Sequence, residues 1–455
     1  MSGDPLILVH LSDIHFRQPA HGGAYDLDAP LRDALERNAV AVSRELGAPH
    51  AILVTGDIAF SGKKEEYQDA STWLERLCAN VGCMPIQVWC VPGNHDVDRQ
   101  VILERRSLRD ARTNLRKCDP REIDREIGDY LAEPTVFYVP IAAYNTEFAA
   151  RFQCELTKDA PVWQKDFTLN DNSVLRLHGF NSVLISDSWD NDGEHKLVLG
   201  RHQYSGLTAQ DGVEHVVLCH HPPEWLRERD EVEVALAATA RIQLFGHKHS
   251  QRLVQINNTL RISAGAVGPC PREPSWQPRY NWVTVRITTL SGNRVMEICV
   301  FPKVWNPVTR AFDADYNSAG GREYRMYQLP LPTFASHAPA PVPAHVDHGL
   351  AEPKSEQAEP ALEEAGVLDD PIMDHARVLA HRYFSLDYVK KMQIADRLGL
   401  HDDSDASLGG VELFLKHLER AKARGQLKEL WDAVEVLHGD GTHPDNPYAG
   451  ETRKG

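Results

Sequence analysis

The chain has 455 residues, of which 42% are hydrophobic and 25% are charged, so it has the length for two or three globular domains and an ordinary composition for them. The net charge of −16 argues against broad attraction to nucleic acid or anionic membranes, although a local basic patch could act against this average. No apolar run approaches the roughly 20 residues of a membrane span, and the start of the chain lacks the features of a signal peptide, so we expect a cytoplasmic protein without membrane contact.

Five short apolar runs in the N-terminal part of the chain end in polar residues that can bind metals. The runs are residues 6–10, 51–55, 87–91, 216–219 and 242–245. Their length and their Val, Ile and Leu content predict buried strands. Ligands bind where the carboxyl ends of such strands meet loops, so we expect the five ends to converge on one site.

Seven side chains at these strand ends are candidate ligands: Asp13, His15, Asp57, Asn94, His220, His247 and His249. A set of carboxylates, an amide and imidazoles without thiolates suits divalent metals such as manganese, iron or zinc. One four-coordinate ion needs about four ligands, whereas two ions that share a bridging carboxylate would use the whole set. Two-metal sites with ions about 3.5–4 Å apart are typical of phosphatases and nucleases, so we predict a binuclear hydrolase.

The ordered series DIH, GD, GNHD, HHPP and GHKH resembles the calcineurin-like metallophosphoesterases over residues 5–305, in particular the bacterial branch similar to class III cyclic-nucleotide phosphodiesterases. The resemblance implies an α/β fold of two packed mixed β-sheets flanked by helices. It also implies two divalent ions, with manganese expected first and iron or zinc as alternatives.

The same resemblance assigns a role to each motif residue. Asp57 would bridge the ions, and His95 would contact the phosphoryl oxygens or the leaving group, with Asp96 orienting it. His220 is preferred over its neighbour His221 because the family's ligand histidine stands two residues before proline. The remaining ligands divide between the two ions: Asp13, His15 and His249 for the first, and Asn94, His220 and His247 for the second.

These roles predict a mechanism. A water or hydroxide between two cations is ionised near neutral pH, while the metals polarise the phosphoryl oxygens and neutralise developing charge. A protonated His95 could stabilise that charge or donate a proton to the departing oxygen.

Residues 97–127 carry four arginines at helical spacing: Arg105, Arg109, Arg112 and Arg116. They could form one face that binds a phosphate-rich substrate, but a solvated helix whose arginines pair with neighbours such as Glu104 and Asp110 is the simpler interpretation. The longer segment, residues 97–215, predicts a helical cap over the metal site.

Further strands are predicted within and after this segment. Those at residues 163–168 and 173–177 lead to Asn181, which resembles a feature near the substrate face of bacterial family members and is explained equally well by turn chemistry. Strands at residues 260–263, 282–288 and 295–300 should complete a second sheet.

The composition changes near residue 329. Residues 330–366 are rich in Pro, Ala and Glu and predict a linker after a metallophosphoesterase domain at residues 1–329. Residues 367–439 then show amphipathic helices punctuated by glycines, which predict a small all-α bundle, and residues 440–455 predict a flexible tail. The bundle resembles small death-like adaptor domains of bacterial conflict systems, which implies docking to a protein partner; self-association is the alternative.

Two classes of function follow. The first is a metal-dependent phosphodiesterase, acting on nucleotides or as a nuclease on nucleic acid, and recruited through its helical domain in a bacterial defence system. A phosphomonoesterase acting on protein or small molecules is the alternative within the enzyme class. The second class is a partner-recruited component whose hydrolase activity is latent.

Overall fold

The structure is a computed structural model. It describes residues 4–17, 26, 28–132, 135–188, 190, 196–268, 277–333, 379, 383, 386, 388–402 and 410–438. The described residues belong to two compact units, residues 4–333 and residues 379–438, and each unit has its own hydrophobic core.

Two β-sheets share the core of the first unit. The first sheet has the strand order β12-β11-β10-β1-β2-β3, with β13 paired to β11. Its strands are β1 (Leu6–Leu11), β2 (Ala51–Thr55), β3 (Val88–Val91), β10 (Arg279–Leu290), β11 (Asn293–Asn306), β12 (Ala311–Ala314) and β13 (Arg325–Pro330). β1, β2 and β3 are parallel and wholly buried, as expected for strands covered on both faces.

The second sheet has the strand order β4-β5-β6-β7-β9-β8. Its strands are β4 (Trp163–Thr168), β5 (Val174–Gly179), β6 (Val213–Cys219), β7 (Ala240–Phe245), β8 (Arg252–Ile256) and β9 (Thr259–Ser263). β5, β6, β7 and β9 are parallel, so the carboxyl ends of β6 and β7 lie at one edge. The prediction of two mixed sheets is confirmed.

Helices cover these sheets. They are α1 (Ala29–Leu46), α2 (Lys64–Val81), α3 (Arg99–Glu104), α4 (Arg106–Lys117), α5 (Ile123–Leu131), α6 (Thr135–Tyr138), α7 (Arg201–Tyr204) and α8 (Arg229–Thr239). α2 shows why they form: Ala70, Leu74 and Leu77 recur at helical spacing and are buried, and Gly82 ends the helix in a left-handed conformation with φ 81°.

Three features of the fold differ from the sequence predictions. The segment at residues 97–215 is not a helical cap throughout, because β4 and β5, which lie between α6 and α7, are strands of the second sheet. The three later strands do not share a sheet: β9 joins the second, while β10 and β11 join β1 in the first. The first unit also continues past residue 329, since β13 ends at Pro330 and Leu331 is still buried.

The second unit contains three helices in its described part: α9 (Tyr388–Leu398), α10 (Gly410–Ala423) and α11 (Leu427–His438). Ile394, Leu430 and Val434 pack in its core. Gly399 and Gly425 follow α9 and α10 with φ 63° each, as the glycine punctuation predicted. The all-α prediction is confirmed for these residues, whereas most of the predicted linker and the whole predicted tail lie outside the described residues.

Candidate metal centre

The seven predicted ligands follow strand ends in both sheets. Asp13 and His15 follow β1, and His247 and His249 follow β7 with the same spacing. The other three follow three further strands: Asp57 after β2, Asn94 after β3 and His220 after β6. The ligands therefore come from parallel strands of both sheets, whose carboxyl ends meet here.

Five of the seven ligands have a left-handed backbone: φ is 53° at Asp13, 56° at His15, 53° at Asp57, 67° at His247 and 50° at His249. This region is uncommon for residues with a side chain, and such strain persists where the surroundings hold it. Here the N–H groups of Asp13 and His15 donate to carbonyl groups of the loop after β2, each at 3.0 Å. These left-handed backbone conformations direct the ligand side chains of neighbouring loops toward one point.

Asp57 lies between two groups of ligands. Its Oδ2 atom is 3.3 Å from His15 Nε2 and 3.4 Å from His220 Nε2. One carboxylate oxygen thus contacts a member of each predicted ion site. This is the position that a bridging carboxylate requires.

The predicted ligands other than Asp57 lie in two groups. Ligand atoms of Asp13, His15 and His249 lie within 4.8 Å of one another, and Asp13 Oδ1 is 3.4 Å from His249 Nε2. On the other side, Asn94 Oδ1 is 3.1 Å from His220 Nε2 and 3.0 Å from His247 Nδ1. The two groups are compact enough to hold one ion each.

The charges at this centre fit a cation. Asp13 and Asp57 are buried, and the ion-pair partners found for them among the described residues are histidines rather than Lys or Arg. Burial would raise the pKa of the Asp57 carboxyl, but His220 and His95 hold it well below its usual range. For Asp13, burial is likewise outweighed, chiefly by the hydrogen bond to His249, and the pKa falls to about 2. Two ionised carboxylates therefore share a buried space, which favours a bound divalent metal.

The protonation of His220 reflects the two nearby carboxylates. Burial would lower the pKa of His220, but the carboxylates of Asp57 and Asp13 raise it to about 9. A proton on this imidazole therefore compensates part of the negative charge. Metal ligands must be deprotonated, so an ion would displace that proton.

His95 lies beside the first group of ligands. Its ring centroid is 4.8 Å from that of His15, and one of its nitrogens lies within 4.8 Å of ligand atoms of His15 and Asp57. Nδ1 is 2.7 Å from the Phe60 carbonyl oxygen, which can only accept, so Nδ1 carries the proton. Burial lowers the pKa of His95 to about 4, which leaves the imidazole neutral with a free lone pair on Nε2.

The prediction that Asp96 orients the His95 imidazole is wrong, because the Asp96 carboxylate holds the loop backbone instead. It accepts hydrogen bonds from three backbone N–H groups, those of Gly93, Ile58 and Ala59, and from the Tyr67 hydroxyl. It therefore fixes the loops that carry Asp57 and Asn94, while the Phe60 carbonyl orients His95.

Glycines allow these loops to approach closely. A Cβ atom on Gly93 would clash with Asp57 Oδ1, and one on Gly246 would clash with the Ser12 hydroxyl. The GNHD and GHKH motifs therefore need these glycines for space next to the ligands.

His221 lies at the edge of the second group. Its Nδ1 is 2.9 Å from the Ser182 hydroxyl, whereas its buried Nε2 has no hydrogen-bond partner in the described part of the chain. A nitrogen of His221 lies within 4.8 Å of ligand atoms of His220 and His247. The geometry favours His220, which contacts both Asn94 and Asp57, and places His221 against it.

The four predicted substrate arginines do not form one face. Arg105 lies at the break between α3 and α4 rather than within one helix. Arg112 is buried, and its guanidinium donates to the Ser186 carbonyl at 3.2 Å. Arg116 forms ion pairs with Asp187 at 2.6 Å and Asp190 at 3.0 Å.

Substrate contact is therefore wrong for Arg112 and Arg116, whose guanidinium groups bind protein groups. Exposed Arg109 donates to the Leu103 carbonyl, so it too is engaged locally. Sequence spacing alone could not reveal the helix break, which removes the common face.

Asn181 is buried, and its hydrogen bonds among the described residues are formed with Gln203 and Val183 rather than with the predicted ligands. Its backbone N–H and carbonyl both bond to the Gln203 side chain, at 2.7 Å and 2.8 Å, and its Oδ1 accepts from Val183 N–H at 3.0 Å. The next residue, Ser182, contacts His221. The turn interpretation accounts for these contacts.

Two residues with roles at the centre were not predicted. Ser12 Oγ is 2.5 Å from Asp13 Oδ2 and 3.1 Å from the Thr55 carbonyl oxygen, so it joins the loops after β1 and β2. Tyr67 on α2 donates to Asp96 at 3.0 Å. Ser12 adjoins the first motif, but its role requires knowledge of which loop faces it.

Comparisons with known proteins give matches for both parts of the chain. The sequence profile described as calcineurin-like phosphoesterase matches residues 6–251, and that described as GTPase-associated adaptor domain matches residues 376–435. A curated relative, the glycerophosphodiester phosphodiesterase GpdQ of Enterobacter lignolyticus, is 36% identical over 130 residues, which is 28% of this chain and 40% of that protein. The chain thus matches less than half the length of this relative.

Two solved structures are also similar. Vacuolar Protein Sorting 29 from Cryptosporidium parvum has a TM-score of 0.31 at 12% identity, covering 72% of this chain and 100% of that chain. A 5′-nucleotidase from Staphylococcus aureus has a TM-score of 0.33 at 14% identity, covering 74% of this chain and 56% of that chain. No helix among the described residues is long and apolar enough to cross a membrane.

Proposed function

The chain belongs to the calcineurin-like phosphoesterase family, hydrolases that act on phosphoesters, and from this premise we propose that it is a phosphodiesterase with two divalent metal ions that acts on nucleotides or nucleic acid. The contact of one Asp57 oxygen with both His15 and His220 carries the proposal. A single ion would not need both groups of ligands around a shared carboxylate.

Two groups of side chains would hold the ions: Asp13, His15 and His249 the first, and Asn94, His220 and His247 the second. Asp57 would contribute to both sites. When bound, the two ions supply Lewis acidity that activates water and stabilises negative charge on a phosphoryl group. Manganese is the expected metal, because imidazole, amide and carboxylate ligands without thiolate suit it, with iron or zinc as alternatives.

His95 acts on the substrate rather than on the ions. The Phe60 carbonyl fixes its Nδ1–H, so Nε2 is the atom left to meet a phosphoryl or leaving-group oxygen. An anionic phosphodiester beside this neutral ring would raise the pKa of His95 and favour the imidazolium form. The ring could then donate a hydrogen bond to the charge that develops on oxygen.

The C-terminal unit recruits the enzyme to a protein partner. Its match to a GTPase-associated adaptor domain supports this role. Exposed Val436 on α11 offers an apolar contact point. Light scattering would measure the molecular mass of the full chain and of a protein ending at Thr333. If only the full chain forms oligomers, the C-terminal unit mediates self-association; if both are monomers, docking to a different protein is favoured.

A metal-loaded substrate panel tests the enzyme proposal. Purified protein should contain about two transition-metal ions per chain, and with manganese it should hydrolyse cyclic nucleotides, nucleic acid or a bis-aryl phosphodiester faster than phosphomonoesters. Protein that contains no metal and gains no activity with manganese would refute the binuclear site. Faster hydrolysis of phosphomonoesters than of phosphodiesters would show that the protein is a phosphomonoesterase.

A further inference from the structure

Trp225 places a half-buried indole at the edge of the second group of ligands. Its ring centroid is 4.2 Å from that of His247, with the ring planes nearly perpendicular at 83°, and 6.3 Å from that of His221. Within the described residues, no hydrogen bond to its indole nitrogen is found. A large aromatic ring thus borders the metal centre while part of it faces solvent.

The backbone around Trp225 is fixed. Its N–H donates to the Pro222 carbonyl at 3.0 Å, and its carbonyl accepts from Leu197 N–H at 2.9 Å. The Leu197 carbonyl in turn accepts from Arg227 N–H at 2.9 Å. The backbone that carries the indole is thus fixed by two segments, and a position that is ordered in advance lowers the entropic cost of binding against it.

Phe60, the aromatic residue beside His95, has different contacts from those of Trp225. Phe60 stacks on His95 with centroids 5.1 Å apart, and the Arg17 guanidinium carbon lies 4.3 Å from the Phe60 centroid. Phe60 is therefore engaged by both side chains. The ring contacts found for Trp225 among the described residues are with His247 of the second group and with the adjacent His221.

We propose that Trp225 is the stacking surface for an aromatic ring of the substrate, and thus that it selects phosphodiesters bearing a nucleobase over purely aliphatic ones. This inference rests on the proposed phosphodiesterase function. Aromatic side chains stack on bases with little dependence on base identity. The proposal names Trp225 as a specificity-determining residue, in contact with the organic part of the substrate rather than with the reacting phosphorus.

The test compares two diesters, thymidylyl-thymidine and glycerophosphocholine, with the manganese-loaded full-length protein. Trp225→Ala should raise KM for the dinucleotide about 5- to 100-fold, the range expected for loss of one stacked base, and leave KM for glycerophosphocholine nearly unchanged. Trp225→Phe, which keeps an aromatic ring against His247, should retain most of the preference. Tyr316→Ala, at an exposed aromatic residue after edge strand β12, is the control and should change neither KM.

The outcomes separate this inference from the proposed function. Equal changes of kcat or KM on both diesters in Trp225→Ala would show that the ring only supports His247, and would overturn the inference. Metal content of each variant reports that structural effect directly. Wild-type protein that holds two ions but cleaves neither diester would refute the phosphodiesterase proposal itself.

Discussion

The Nδ1 atom of His220 lies 2.7 Å from the carbonyl oxygen of Thr55. A carbonyl oxygen can only accept, so Nδ1–H is the donor, and Nε2 is the nitrogen that faces Asn94 and Asp57. This bond crosses from the loop after β6 to the end of β2, so it fixes a ligand of one sheet by the backbone of the other.

This arrangement predicts that His220 and His221 differ in their contribution to metal binding. His220→Phe should reduce the metal content from about two ions per chain to about one, because it removes a ligand of the second ion. His221→Phe, a matched substitution that keeps ring packing, should retain about two. Elemental analysis after desalting measures both. Loss of an ion in His221→Phe alone would reassign the ligand.

Metal binding should depend on pH through His220. The pKa of this imidazole is raised to about 9, so below that pH a proton occupies the ligand and must leave when the ion binds. Affinity for the second ion should therefore rise with pH, by about tenfold per unit between about pH 6 and about pH 8 for one displaced proton. Calorimetry in buffers of different ionisation enthalpy would count the proton. The slope should fall in His220→Asn, and a pH-independent affinity in the wild type would contradict the assignment.

His95 and Asp57 should separate catalysis from metal binding. His95→Ala should lower kcat by about 10²–10⁴-fold with metal content unchanged, the range for loss of a proton-transferring or charge-stabilising side chain. Asp57→Ala should lower metal content and activity together, because the bridge contacts both groups. Parallel kinetics and elemental analysis distinguish the two. Equal metal loss in both variants would refute this division of roles.

The sequence could predict that the strand ends converge because each motif is local: a buried strand, a tight loop and a short polar sequence. Asp57 and His220, which follow two of these strands, lie 3.4 Å apart in the structure. The role of Asp96 came from the family resemblance, whereas in the structure its carboxylate accepts hydrogen bonds from backbone donors of the loop after β2. That contact joins distant segments, and no local pattern encodes it.

The arginines failed for a related reason. Helical spacing from Arg105 to Arg116 assumes one continuous helix, but the chain breaks at Arg105, which separates α3 from α4. Arg116 also forms ion pairs with Asp187 and Asp190, which are 71 and 74 residues away in the chain. Only the fold brings these carboxylates to the guanidinium.

Arg116→Ala should therefore destabilise the fold rather than weaken substrate binding. It leaves Asp190, which is 1% exposed, without its cation, and breaking a buried ion pair costs about 3–5 kcal/mol. Chemical denaturation should show this loss, whereas exposed Arg109→Ala should change the free energy of unfolding by less than about 0.5 kcal/mol. An Arg116→Ala protein of unchanged stability but raised KM would restore the substrate role.

The boundary of the first unit gives a final prediction. A protein ending at Thr333 should fold and keep its phosphoesterase activity and metal content, because the second unit has a separate core. A protein ending at Gln328 should be less stable, since it loses Leu329, which is 0% exposed, and Leu331, which is 8% exposed. Fully burying one leucine contributes about 1.5–3 kcal/mol, so the loss should amount to several kcal/mol. Thermal unfolding of the two truncated proteins measures the difference. Equal stability would show that residues 329–333 lie outside the core of the first unit.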